Sequence, residues 1–295
     1  MKSRFRSLEG KQLLYESYDR LLNLWGVDLE EQDIDTRFGK THVIITGNKK
    51  NPPLILFHGT GDNSAIMWIY NIKELAQQFY VIAIDTLGGA GKSEPNDEYY
   101  NNFQPHLWID DILETYNISK AHMAGVSYGV YLALSYEIRN PHRVDKIICM
   151  ASFIPIKGLG LKYTLLGIKS VMVFFPEVLK PSEKNALKLL RKLGSPISDT
   201  HTMNNELLKH FLYILKYSKP ERRKFISYEM EALSSFKQKA LFLIGDSDSI
   251  AYHPAYIDFF KANHFNYKII KDAGHSINQD QSDIVNTEMT GYLIG

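Results

Sequence analysis

Ala121-His122-Met123-Ala124-Gly125-Val126-Ser127-Tyr128-Gly129-Val130 is the stretch whose reading decides the fold. A short apolar strand pattern, Ala121 to Ala124, runs into it, and a helical pattern, Val130 to Arg139, runs out until Asn140-Pro141 stops it. Gly-x-Ser-x-Gly between a strand and a helix describes a turn so tight that the serine backbone is strained. Side chains two positions before or after the serine would strike neighbouring elements, and glycine at 125 and 129 removes that collision. Ser127 is then presented at the carboxyl end of a strand with its hydroxyl toward a cleft. In isolation the pattern is weak, because small residues often gather at strand-to-helix turns. The strand–turn–helix context gives it weight.

Outward from this turn, short apolar runs recur as strand candidates: His42 to Thr46, Leu54 to Phe57, Tyr80 to Ile84, Lys146 to Met150, Ala240 to Ile244 and Tyr267 to Ile270. Gln32 to Phe38 alternates apolar and polar residues and reads as an edge strand. Helical patterns lie between them at Ala65 to Gln78, Gln104 to Tyr116, Tyr128 to Arg139, Pro254 to Asn263 and Ser282 to Leu293. Strands alternating with helices predict an α/β class with a mostly parallel central sheet flanked by helices. Leu8 to Trp25 is an amphipathic helix candidate expected to dock on the sheet domain.

The alternation stops after Met150. From Ser152 to Phe236 the apolar residues follow helical spacing with no clear strand, and Ala240 then resumes the sheet. An inserted helical cap over residues 152–236 is expected, between core segments 1–151 and 237–295. The insertion carries 14 Lys and Arg against 7 Asp and Glu, a net +7, and the remainder is −6. A solvated outer helix face explains such an imbalance most simply; a preference for anionic substrates or surfaces is the alternative.

Composition excludes several other classes. The 295 residues, 44% of them hydrophobic, suffice for one large core. A net charge of +1 offers no field for nucleic acid, so no nucleic-acid partner is expected. The single cysteine, Cys149, lies in an apolar run and rules out an internal disulfide framework or a Cys-rich metal site. Met1 to Arg6 is basic without a following apolar stretch, and no run approaches a membrane span, so no stable membrane insertion and a cytoplasmic location are expected. Oligomeric state is not legible.

A serine hydroxyl needs a base, and the base needs an orienting acid. Leu243-Ile244-Gly245-Asp246-Ser247-Asp248 ends a strand run in a carboxylate-bearing turn, and Asp272-Ala273-Gly274-His275 follows the last strand run. The order Ser127, Asp248, His275 fits a nucleophile, acid and base gathered at the carboxyl ends of parallel strands. With His58-Gly59-Thr60-Gly61 after the third strand, these segments make the chain resemble the α/β-hydrolase fold superfamily. The N-terminal helix, the Trp68 region and the cap are most similar to bacterial carboxylesterase-type members.

The resemblance implies a serine hydrolase that cleaves carboxylic esters of small or medium size. Ser127, His275 and Asp248 would form its triad, and backbone amides of Thr60 and Tyr128 would receive the oxyanion. A C–C bond hydrolase or thioesterase could use the same triad, and a non-catalytic ligand-binding protein on this fold is the alternative of a different class. The expected partner is a small ester, with no metal or organic cofactor. Asp85 to Ser93 is similar to the Asp-x-x-Gly-x-Gly-x-Ser loop of capped members. It approaches a phosphate loop but lacks the first glycine, where Thr86 stands, so its role is read as structural.

Asp246 competes with Asp248 for the acid, the spacing Gly-x-x-Asp favouring Asp248. Gly274 is expected to give the base loop backbone freedom, and His58 to shape the turn it precedes. His201, His210, His253 and His264 show no metal-ligand spacing. Gly59, Gly61, Met67, Trp68 and Phe153, with Met172, Phe174 and Phe175, are candidates for a substrate pocket, an ordinary cap core being the other reading of the aromatic ones.

Overall fold

A computed structural model describes residues 3–152, 156–157, 177, 179–196, 204–219 and 227–295. Strand β1 (Leu29–Thr36) pairs antiparallel with β2 (Gly39–Thr46), and β2 pairs antiparallel with β4 (Tyr80–Ile84). From β4 inward the sheet is parallel. The spatial order is β1-β2-β4-β3-β6-β7-β8-β9, where β3 is Pro53–Phe57, β6 Ala121–Val126, β7 Val144–Met150, β8 Ala240–Gly245 and β9 Asn266–Ile270. A two-residue strand, β5 (Glu94–Pro95), adds to β2.

Every residue of β4, β6 and β8 is buried, as expected of parallel strands covered on both faces. Alternate side chains enter two separate cores. Ile55, Phe57, Ile82 and Met123 pack on one face with Trp108 and Ile112 of α5 (Pro105–Thr115) and Leu132 of α6 (Tyr128–Arg139). Leu54, Leu56, Val81 and Ala124 pack on the other with Leu75 of α3 (Ile72–Gln78) and Val285 and Met289 of a C-terminal helix, Ser282–Ile294.

Two expectations change. The edge strand runs Leu29–Thr36, and Phe38 falls in the turn after it. The helix expected over 65–78 is two helices, α2 (Ser64–Met67) and α3. They break at Asn71, whose side-chain nitrogen donates to Asn278 O at 3.0 Å and Asn286 Oδ1 at 2.8 Å. Helix α1 (Leu8–Asn23) shares the second core but packs mainly against α2 and a helix of the inserted segment. That segment, between β7 and β8, contains α7 (Glu183–Leu193) and α8 (Asn205–Tyr217). Backbone bonds from Arg6 N to Tyr217 O at 2.9 Å and from Lys219 N to Arg4 O at 2.8 Å staple the N-terminus to the end of α8. Among the described residues no helix is long and apolar enough to cross a membrane.

Candidate active site

Ser127 sits at φ 53° and ψ −111°, a left-handed conformation that a serine holds only when its surroundings dictate it. A Cβ at position 125 would stand 2.3 Å from the carbonyl carbon of Gly129, and one at 129 would stand 2.1 Å from Phe57 O. Both flanking glycines are therefore required by close approach. The Ser127 amide donates to Met150 O at 2.9 Å, which ties the turn to β7.

Two strands away, the turn after β8 carries the candidate acid, Asp248. Asp248 is fully buried; its Oδ1 accepts the amides of Ile250 at 2.8 Å and Ala251 at 3.0 Å. Both its oxygens face Nδ1 of His275, at 3.2 and 3.0 Å. Burial opposes ionisation of Asp248, but the imidazole and the two amides outweigh it and hold the carboxyl below its ordinary range. Asp246 is only half-buried and accepts the Ser247 hydroxyl at 3.0 Å, so the histidine is paired with Asp248 rather than Asp246.

His275 lies in the loop after β9 with 12% of its side chain exposed. Groups within the loop and far from it in the chain hold it. Asp280 accepts the amides of Gly274 at 2.8 Å and of Ser195 at 2.9 Å, while Ser276 N donates to Leu193 O at 3.0 Å. A Cβ at 274 would press on the backbone of Gly194 at 2.4 Å. Gly274 thus serves close packing against the end of α7, not backbone freedom, and the positive φ belongs to Asp272. Asn278 donates to Met67 O at 2.7 Å and Asn71 Oδ1 at 3.0 Å, anchoring the same loop to α2.

The loop Gly59–Asp62 links the two halves. From the place a Cβ would take at Gly59, the Ser127 Cβ is 3.6 Å away and the Met67 methyl 3.7 Å. His58, fully buried, bonds through Nδ1 to Gly59 O at 2.8 Å, and its Nε2 accepts the Thr86 amide at 2.9 Å, shaping the turn. Thr60 and Gly61 are exposed, and Tyr128 opens α6 with its amide at the helix N-terminus. A hydrogen bond from the Ser127 hydroxyl to His275 is not formed among the described residues. Contacts of this kind commonly tighten only around substrate.

Of the pocket candidates, Gly59 lies beside Ser127 and Met67 beside Gly59, whereas Trp68 is fully buried in the second core and presents no surface to a cleft. Phe153, Met172, Phe174, Phe175 and His201 lie outside the described residues. In the Asp85–Ser93 loop, Lys92 is engaged by Asp19 and Glu31 and the Ser93 hydroxyl by Asp85 O, a structural use of those groups. An open groove of about 1110 Å³ lies at the other end of β4, beside Leu22, Val27 and Tyr80, and touches none of the candidate residues. Asn278 and Asp280, which seat the base loop, carry no sequence motif that would have singled them out.

Residues 52–174 match the family model described as the alpha/beta hydrolase fold. The chain is 27% identical to Carboxylesterase YbfK of Bacillus subtilis (strain 168), over 99% of this chain and 97% of that protein. It is 28% identical to the uncharacterized carboxylesterase nap of the same organism, over 95% and 91%. The crystal structure of naproxen esterase from Bacillus subtilis superposes with a TM-score of 0.78 at 24% identity, covering 98% of this chain and 99% of that one. The fold is thereby shown to be the α/β-hydrolase fold.

Proposed function

We propose that this chain, a member of the α/β-hydrolase superfamily, is a serine carboxylesterase acting through Ser127, His275 and Asp248. The reading is carried by the Asp248–His275 pair standing two strands from a strained serine at the same carboxyl rim. Full-length similarity to carboxylesterases supports ester substrates over the other bonds such a triad can cleave.

In this mechanism Nδ1–H of His275 donates to Asp248, which leaves the Nε2 lone pair to take the Ser127 proton. The serine oxygen attacks the ester carbonyl and the carbonyl oxygen becomes an anion. Amides of Thr60 and Tyr128 receive it, each such donor being worth about 10²–10³ in kcat. The imidazolium returns the proton to the departing alcohol, and water releases the acid by the same sequence of transfers. Residues 152–236 act as a cap that shapes the acyl pocket, with Met67 at its floor, and the reaction is cytoplasmic. The test is hydrolysis of p-nitrophenyl esters across acyl lengths, beside acyl thioesters. Ser127→Ala is expected to cut kcat by at least about 10⁴-fold while the fold persists. Thioester turnover far above ester turnover would reassign the substrate, and an unimpaired Ser127→Ala would end the proposal.

A further inference from the structure

The loop bearing Thr60 is fixed at its ends rather than along its length. Among the described residues, the amides of Thr60, Gly61 and Asp62 make no backbone hydrogen bond, and Gly61 stands at φ +73°. At the start, His58 is locked into the core. At the finish, Asn63 caps α2, its Oδ1 accepting the Ile66 amide at 3.4 Å. The Asn63 side-chain nitrogen donates to Ala90 O at 3.3 Å and to Nε2 of His210 at 2.9 Å.

His210 comes from α8, in the segment inserted between β7 and β8. Its Nδ1 bonds the Ser17 hydroxyl of α1 at 3.1 Å, and Asn63, His210 and Ser17 are all fully buried. Because Nε2 accepts, the proton sits on Nδ1 and the ring is neutral. Burial pushes its pKa down to about 3, so the neutral tautomer persists at any ordinary working pH. The inserted segment thus reaches the end of the oxyanion loop through one imidazole.

We propose that His210 is a positioning residue: through Asn63, helix α8 sets where the Thr60 amide points. The role rests on the esterase reading above. It explains why a fully buried polar pair spans the core and the inserted segment where two apolar side chains would pack without desolvation. A displaced oxyanion donor weakens the transition state more than the ground state, so the loss falls on kcat.

The test compares wild type with three variants on a p-nitrophenyl ester. His210→Leu removes the acceptor. Asn63→Ser keeps a helix-capping hydroxyl but loses the side-chain amide that reaches His210, and it carries the test if His210→Leu does not fold. His210→Gln can accept from Asn63 and donate to Ser17. The first two are expected to lose about 10- to 100-fold in kcat with KM nearly unchanged, the size of effect a misplacement near 1 Å produces. His210→Gln is expected to recover most of it. Folded His210→Leu or Asn63→Ser with wild-type kcat, a loss confined to KM, or no recovery in His210→Gln would overturn the role. A wild type inactive on every ester and thioester would instead remove the esterase reading beneath it.

Discussion

The turn that holds Ser127 and the loop that holds His275 are built on opposite plans. The first is local: two glycines, one strand end, one helix start and a single bond to the neighbouring strand. The second is held partly by Asp280 and Asn278 of the short helix that follows it, Ile277–Asp280, and partly by α7 and α2 from far along the chain. A strained backbone is best fixed by the close approach of rigid elements. A base that must accept and return a proton can be hung on polar contacts that the rest of the fold supplies.

Perturbations of the acid, the base loop and the turn separate these plans. The largest effect short of removing Ser127 or His275 is expected for Asp248→Asn, about 10⁴-fold in kcat, because the amide can hold His275 in the wrong tautomer. Steady-state kinetics on an ester measures it. The same carboxylate, depressed in the folded state, contributes stability above its ordinary value of 3.8 that is lost as pH falls through its folded pKa; Asp248→Asn should flatten that acid limb in a melting-temperature series.

Asn278→Ala should reveal the dependence of the base loop on distant contacts. It strands the carbonyl of Met67 and the amide oxygen of Asn71, so about 1–3 kcal/mol of stability is expected to go. About 10- to 100-fold in kcat is expected to go with it, since the loop bearing His275 loses its tether. Chemical denaturation and kinetics together check both. Unchanged kcat would mean that Asp280 and α7 alone seat the loop.

Ser127→Gly sharpens the local side. Glycine adopts the left-handed backbone without strain, so the inactive variant should be more stable by about 1 kcal/mol. A lower melting temperature would show that the turn stores no strain.

The smallest effect lies outside both regions. Buried His42 is held between Asp33 at 2.7 Å and Glu31 at 3.0 Å; burial opposes its charge, but the two carboxylates prevail and raise its pKa. Its stabilisation is full below its ordinary value of 6.5 and is lost as pH rises through the higher folded value, so melting temperature should sag on the alkaline side and less so in His42→Gln.

The same contrast governs what could be read from the chain. Tyr80–Ile84 and Tyr128–Arg139 stand where the sequence puts them, because continuous apolar strands and a proline-stopped helix are written in adjacent residues. Ser127, Asp248 and His275 could be singled out as candidates because each follows the end of a strand pattern. The break at Asn71, the burial of Trp68 and the packing role of Gly274 were not, since each is decided by a partner far along the chain: Asn278 and Asn286, the second core, and Gly194. His210 showed only an absence of metal spacing; its bond to Asn63 exists only once α8 packs against α1 and brings the imidazole to the N-cap of α2.

The most direct test of the central claim is to quench p-nitrophenyl acetate turnover in the pre-steady state and map the acetyl group by peptide mass spectrometry. The account predicts a burst of one nitrophenol per chain with the acetyl on Ser127, and a burst that vanishes in Ser127→Ala and slows sharply in His275→Ala. An acetyl group on another side chain, or a full burst without the imidazole at 275, would contradict it.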